Sequence, residues 1–310
     1  MRVIVTGSTG LVGRAVVRSL LADGHELTRL VRGGAQGFRA PGTAAVHWDP
    51  ARGEIDAKEL EGHDAAVHLA GEPIAEGRWD EAKKRRIMES RAQGTRLLAG
   101  ALAGLAHKPK VLVSASATGF YGDRGDELLR EESASGTDFL SEVCREWEKG
   151  TLAASQAGVR VVNLRIGFVL SGEGGGLPKM LTPFKLGVGG KVASGRQYMS
   201  WITLEDLVRV VRRALEDENL RGPVNAVAPG AVRNEEFTKA LGRVLGRPTL
   251  LPVPAFALRL AFGEVADATM LTSTRVEPAR LAGAGFEFKH PEIEGALRAA
   301  LGKTGHDRPQ

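Results

Sequence analysis

Short β-branched apolar runs alternate with longer segments of helical periodicity through the first half of the chain. "RVIVT" (2–6) reads as a first strand, and "LVGRAVVRSLLADG" (11–24) reads as its helix, ended by Gly24. Further strands are predicted at 25–32, 44–48, 64–70, 110–116 and 159–167, with long helices near 79–105 and 138–157 separating the last three. Strands that alternate with helices pair through crossovers rather than hairpins, so they are predicted to lie parallel between helical layers. The expected fold is α/β, a doubly wound parallel sheet.

The texture changes after Leu170. "SGEGGGLPKMLTPFKLGVGGKVASGRQ" (171–197) is glycine-rich and aperiodic, which reads as a long loop over a site rather than another layer. An amphipathic helix at 203–217 and a strand at 222–229 are predicted next. From Asn234 onward helices dominate, and the last residues, "GKTGHDRPQ", read as frayed. These patterns predict a dinucleotide-binding domain over 1–170, completed by about 200–229, and a smaller, mainly helical substrate-side part formed by 171–199 and 230–310.

Composition narrows the function classes. With 43% hydrophobic and 25% charged residues the chain is neither disordered nor collagen-like. A net charge of +5 spread over 310 residues, with 37 acidic residues among 42 basic ones, argues against nucleic-acid binding. The one basic run, Lys83–Arg86, reads as the solvated face of the 79–105 helix. Cys144 is the only cysteine, which excludes an intrachain disulfide and fits a reducing compartment. "LLPVPAFALRLAF" is the longest apolar stretch, but two prolines, Arg259 and its length argue against a membrane span. With no signal-peptide pattern at the N-terminus, a cytoplasmic protein with no membrane partner is expected. A homodimer is allowed, and no histidine or carboxylate spacing suggests a metal site.

Candidate chemistry begins at "TGSTGLVG" (6–13). Gly7, Gly10 and Gly13 stand between the first strand and its helix, where the backbone must turn tightly, approach a pyrophosphate and let the helix pack closely. Gly7, Ser8, Thr9, Gly10, Leu11, Val12 and Gly13 are therefore expected to cradle a dinucleotide, as in a Rossmann fold. Domains specific for NAD place an acidic residue at the end of strand two, about 20 residues on. Here that strand ends "LVRGG", and no Asp or Glu occupies 27–48. Arg32 stands in its place, with Arg29 or Arg39 as helpers, and a guanidinium pairs bidentately with phosphate. NADP(H) is expected in preference to NAD(H); the other reading of Arg32 is a solvated strand end.

The order of "TGSTGLVG", "VHLAG", "VSASATGFYGD", "NLRIGFVL" and "SWITLEDLVRVV" resembles the extended and atypical branches of the short-chain dehydrogenase/reductase superfamily. With the tail "NEEFTKALGRVLGRPTLLPVP" and "VEPARLAGAGFEF", nearly the whole chain is similar to the bacterial "epimerase family" group, whose C-terminal piece is a domain of unknown function. That group has no settled substrate. By matching position, the resemblance implies that Leu69, Ala70 and Gly71 line the cofactor and that Asp49 lies near the adenine. It puts Arg91 where many members carry an asparagine, Ser114, Ala115 and Ser116 after strand five, and Gly167, Phe168 and Val169 beside the nicotinamide.

The same resemblance exposes a gap. Extended members use a tyrosine as general acid and a lysine four residues later to tune it, yet no Tyr-x-x-x-Lys occurs in this chain. Family spacing puts Leu140 at the tyrosine position and Cys144 at the lysine position; a one-residue shift gives Phe139 and Val143. Ser116 matches the serine that binds the reacting oxygen, and Tyr121 either projects toward substrate or is a satisfied wall tyrosine. Cys144 is either a thiol near the nicotinamide or a small buried hydrophobe. Glu142 and Glu146 read as solvated. Arg196, Gln197, Tyr198 and Trp201, with Arg78 and Trp79, are candidates to clamp an anionic or aromatic ligand, the tryptophans alternatively packing the subdomain. The expectation is an NADP(H)-dependent oxidoreductase or epimerase-like enzyme on a small polar substrate, with Ser116 and Tyr121 polarising a carbonyl. The alternative is a non-catalytic NADP(H)-binding redox sensor or scaffold.

Overall fold

The computed structural model describes residues 1–33 and 41–303. Its centre is an eight-stranded sheet containing β1 (Arg2–Thr6), β2 (Glu26–Val31), β3 (Thr43–Asp49), β4 (Glu54–Ile55), β5 (Ala65–His68), β6 (Val111–Ala117), and the strands Arg160–Ile166 and Gly222–Ala226. In space the order runs Gly222–Ala226, Arg160–Ile166, β6, β5, β1, β2, β3, β4. Neighbours are parallel except at the edge, where β4 runs antiparallel to β3. The chain lays β2, β3 and β4 on one side of β1 and the later strands on the other. The direction of winding therefore reverses between β1 and β5, and a crevice opens at their carboxyl ends.

Alternation along β1 assigns the two layers. Val3 and Val5 face Val16, Val17 and Leu20 of α1 (Leu11–Ala22), together with the helix Leu204–Glu216. Ile4 faces the other way, onto Leu98, Ala99 and Leu102 of α2 (Glu81–Gly104). Asp80 caps α2 by accepting from the Lys83 amide at 2.6 Å, and Asp138 caps α3 (Phe139–Lys149) by accepting from the Ser141 amide at 2.8 Å. A third apolar cluster joins Leu170, Leu177, Phe184, Trp201, Phe237 and Leu241 beside the sheet, so the helical C-terminal region carries its own packing.

Two expected elements change. The helix expected over 138–157 is two, α3 and Leu152–Gln156, because the chain turns at Gly150 against α2; a Cβ there would lie 2.9 Å from Thr95 Cβ. The segment 171–197 contains the helix Leu177–Lys185, with Leu177 and Phe184 buried. Pro178 and Pro183 hide its period, yet Pro178 falls in the first turn, where its missing N–H costs nothing. Among the described residues, no helix is long and apolar enough to cross a membrane.

Candidate functional site

The β1–α1 turn has no room for side chains at two of its glycines. Gly7 adopts φ +66°, and an added Cβ would lie 2.6 Å from the Leu69 carbonyl carbon and 2.7 Å from the Ala70 nitrogen. A Cβ on Gly13 would lie 2.8 Å from the Gly7 carbonyl carbon and 2.9 Å from Ser8 Cα. Gly10 is different: its φ of −73° suits any residue, and the nearest atom to a Cβ is Gly7 O at 3.4 Å. Among the described residues Ser8 Oγ is buried without a partner, and α1 opens with no acidic side chain in its first turn. A constricted backbone, the positive end of α1 and an unsatisfied hydroxyl fit the pyrophosphate of a dinucleotide.

A buried polar relay braces this turn, and the sequence reading missed it. His68 Nε2 lies 2.9 Å from Thr95 Oγ1, and Thr95 Oγ1 donates to the Arg91 carbonyl at 2.6 Å. The Thr95 proton is thus committed, so His68 Nε2 must be the donor and Nδ1 the acceptor. Thr6 Oγ1 then donates to Nδ1 at 2.7 Å and accepts from the amides of Leu69 at 3.1 Å and Ala70 at 3.2 Å. A neutral imidazole is required, and burial pushes the His68 pKa from its ordinary 6.5 to about 4. The unfolded chain binds this proton below pH 6.5 and the folded chain does so only near pH 4, so stability falls as pH drops through that window. We expect a loss of about 3 kcal/mol between the two, read as the difference in urea midpoints between wild type and His68→Gln across pH. Parallel pH profiles for the two proteins would count against the relay.

Between the turn and α2 lies a cavity of about 480 Å³. Gly7, Ser8, Thr9, Arg32, Asp49, Ala70 and Gly71 line it, together with Glu72, Arg86, Glu89, Ser90 and Gln93, which the sequence reading did not select. The α2 residues recur at helical spacing (86, 89–90, 93), a signal present in the sequence. Arg29 is buried, with Nε donating to Thr43 Oγ1 at 2.8 Å, and Arg39 lies outside the described residues. The basic run is not a uniformly solvated face. Lys83 is buried against Glu72 at 2.8 Å, because Glu72 lies across from the first turns of α2, and Lys84 pairs with Glu264 at 2.6 Å. Arg91 backs the crevice rather than lining the cavity: it packs on Gly71, donates to the Glu72 carbonyl at 3.0 Å and lies over the Trp147 ring at 4.9 Å.

On the far side of β5 the expected catalytic groups are committed to one another. Arg165 grips Glu148 through both carboxylate oxygens, at 2.8 Å and 3.0 Å. Ser116 donates its hydroxyl to Glu148 Oε1 at 2.8 Å. Tyr121 is fully buried; it donates to Asn225 Oδ1 at 2.7 Å and accepts from Arg165 at 3.0 Å, and burial raises its pKa. Neither hydroxyl has its proton available for a substrate carbonyl in this arrangement. Cys144 is buried too, and burial, with Glu148 adding, pushes its thiol up to about 12. It is no thiolate at neutral pH, and it sits 3.7 Å from the Ala117 carbonyl oxygen. Leu140 packs against Gly119. Ser114 is buried in β6 with Ala115.

The remaining candidates scatter. Gly167 is pressed against Ser200, where a Cβ would lie 2.7 Å from the carbonyl oxygen, and Phe168 and Val169 pair with Trp201 and Ile202. Trp201 is fully buried and donates to the Gly230 carbonyl at 2.8 Å, so it packs the C-terminal cluster instead of facing a ligand. Gln197 is also buried, with Nε2 on the Val192 and Met270 carbonyls. Arg196 is exposed, and Tyr198 stands between the guanidinia of Arg233 and Arg275, each 5.1 Å from its ring. Arg78 donates to the Leu260 carbonyl, and Trp79 packs edge-on to Phe139 at 5.3 Å. Glu146 pairs with Arg96 and Lys149, and Glu142 is exposed. Among the described residues no cluster of ligating side chains suits a metal ion.

Comparison with known proteins agrees with this geometry. The sequence profile of the NAD dependent epimerase/dehydratase family matches residues 3–226, and that of a domain of unknown function, DUF1731, matches 253–300. Epimerase family protein Mb2239 of Mycobacterium bovis is 44% identical over 306 residues, covering 98% of each chain. Epimerase family protein SDR39U1 of Homo sapiens is 35% identical, covering 96% of this chain and 99% of its own. The crystal structure of that human protein (isoform 2) with NADPH superposes with a TM-score of 0.87 at 32% identity, over 98% of this chain and all of the other. A turn that only glycine can make, a crevice at the β1–β5 switch point and matches along nearly the full length lead to one conclusion: the chain belongs to the NAD-dependent epimerase/dehydratase family and carries that family's nucleotide-binding fold with a DUF1731 C-terminal region.

Proposed function

We propose that the protein is an NADP(H)-dependent oxidoreductase or epimerase-like enzyme acting on a small polar substrate. The observation that carries this reading is the crevice itself: a turn closed to side chains at Gly7 and Gly13 at one end, Arg32 at the end of β2, and no Asp or Glu in 27–48 to receive the ribose hydroxyls of NAD. The human relative crystallised with NADPH supports it. A bound nicotinamide would supply hydride transfer. The chain's own part is to hold the pyrophosphate on the Gly7–Gly13 turn, to pair Arg32 with a 2′-phosphate, and to fix the Leu69–Gly71 wall through Thr6 and Arg91. Residues 171–199 and the described part of 230–310 form the substrate side in this reading, where Arg196 and the Arg233 and Arg275 guanidinia against the Tyr198 ring offer cationic and aromatic surface to a polar ligand.

Proton transfer in this enzyme does not follow the usual tyrosine and lysine. Family spacing puts Leu140 and Cys144, or in the register one residue earlier Phe139 and Val143, at those positions, and the Ser116 and Tyr121 protons are directed at Glu148 and Asn225. That observation also favours a second reading, a non-catalytic NADP(H)-binding redox sensor. Calorimetry separates the two, because a sensor must bind NADP⁺ and NADPH with different affinities and an enzyme must turn over one member of a carbonyl or hydroxyl panel. For the cofactor, Arg32→Ala should weaken NADPH by about 10- to 100-fold, as expected for the loss of a charged hydrogen-bond donor, and leave NADH nearly unchanged. An unaltered NADPH-to-NADH ratio would refute the role of Arg32.

A further inference from the structure

Two cations meet one carboxylate at the mouth of the crevice, and Arg32 lines the same cavity. Lys83 Nζ donates to Glu72 Oε1 at 2.8 Å, and Arg86 Nε stands 3.8 Å from the same oxygen. The hydrogen bond from Lys83 holds the Glu72 carboxyl below the usual carboxylate range, and the charges of Arg86 and Arg32 push it the same way. One carboxylate neutralises one cation, and buried Lys83 takes that role. Arg86 is unlike Lys83: its side chain is 57% exposed, it is too far from Glu72 for a hydrogen bond, and it lines the cavity together with Arg32.

Other charges do not cancel these two guanidinia. Asp49 and Glu89 also line the cavity, but Asp49 accepts from the Ala51 amide at 3.0 Å and faces Arg52 at 3.8 Å. Among the described residues, neither carboxylate pairs with Arg32 or Arg86. In sequence, 34–40 contain no Asp or Glu.

We infer that Arg86 is a second guanidinium for the phosphate monoester on the adenosine ribose, acting with Arg32 to set the preference for NADP over NAD. The inference rests on reading the crevice as a dinucleotide site. A 2′-phosphate is close to a dianion with three acceptor oxygens, so forks from two walls, the end of β2 and the face of α2, both find partners. A bare 2′-hydroxyl offers no such charge. Arg86 therefore discriminates between the cofactors instead of strengthening both. Arg86 stands 3.8 Å from Glu72 in the wall of the same cavity.

Calorimetric titration tests this with wild type, Arg86→Ala, Arg86→Lys and Arg86→Ala/Arg32→Ala against NADPH, NADH, 2′,5′-ADP and 5′-AMP at low and high salt. Arg86→Ala should lose about tenfold for NADPH and 2′,5′-ADP, with a shallower salt dependence, and should bind NADH and 5′-AMP like wild type. Arg86→Lys should recover part of that loss, and the double variant should bind NADPH no better than NADH. Because Arg86 is largely exposed, its variants should melt with wild type. Equal losses for NADPH and NADH, or no loss for either, overturn the role of Arg86. If Arg32→Ala abolishes discrimination and Arg86→Ala leaves it intact, only this inference falls. If wild type itself fails to discriminate, the NADP reading of the crevice falls with it.

Discussion

Gly7→Ala is expected to remove dinucleotide binding and to destabilise the fold by about 2–5 kcal/mol, from left-handed backbone strain and overpacking together. The cause is local and steric. At φ +66° an alanine is strained wherever it points, and here its Cβ would drive into the Leu69–Ala70 peptide at 2.6–2.7 Å. That peptide is not free to retreat, since both amides donate to Thr6 Oγ1, which is tied through His68 to Thr95. Gly10→Ala is the informative partner. Its backbone angles suit alanine and its Cβ meets only Gly7 O at 3.4 Å, so stability should change by less than about 1 kcal/mol. Its methyl would nevertheless stand in the exposed part of the turn, and NADPH affinity should fall. Urea midpoints and NADPH fluorescence titrations on both variants read the two effects separately. Native affinity in Gly7→Ala would show that the turn does not hold the ligand.

What the sequence made legible is what local chemistry dictates. "RVIVT" and "KVLVSAS" read as strands because central parallel strands are buried on both faces and carry continuous apolar runs. The glycine turn was legible for the same reason, since the need for a missing Cβ is written at single positions. Non-local packing was not. Trp201 fits both a ligand clamp and subdomain packing in sequence, because its surroundings look like loop; Phe237 and Leu241, brought from another helix, bury it. Lys83 read as solvated because Glu72 is eleven residues away and meets it only through the path of the chain. The relay was invisible as single polar residues in three separate elements; the β1–β5 register, which places Thr6 opposite His68, makes it a unit. The empty tyrosine and lysine positions were legible, whereas the engagement of Ser116 and Tyr121 by Glu148, Arg165 and Asn225 was not.

Arg165→Met should cost about 3–5 kcal/mol, the usual consequence of leaving one partner of a buried ion pair uncompensated. Arg165 is almost wholly buried, and its guanidinium grips Glu148, donates to Tyr121 and the Glu131 carbonyl, and lies 3.4 Å from the centre of the Phe120 ring. Removing it strands the Glu148 carboxylate beside Ser116 with a single neutral donor. Glu148→Leu alone should be equally harmful, because it strands the guanidinium. The double variant Arg165→Met/Glu148→Leu should recover much of the loss, since an apolar pair of similar volume has no buried charge to desolvate. Denaturant midpoints for the four proteins give the coupling directly. Additive losses, or single variants within about 1 kcal/mol of wild type, would mean the pair is not a closed electrostatic unit. Recovery of stability in the double variant has a chemical corollary: with Glu148 gone, the Ser116 hydroxyl loses its acceptor and can donate elsewhere. The double variant should therefore be more stable than either single variant while binding ligands that need a hydroxyl donor at this position more tightly than wild type does.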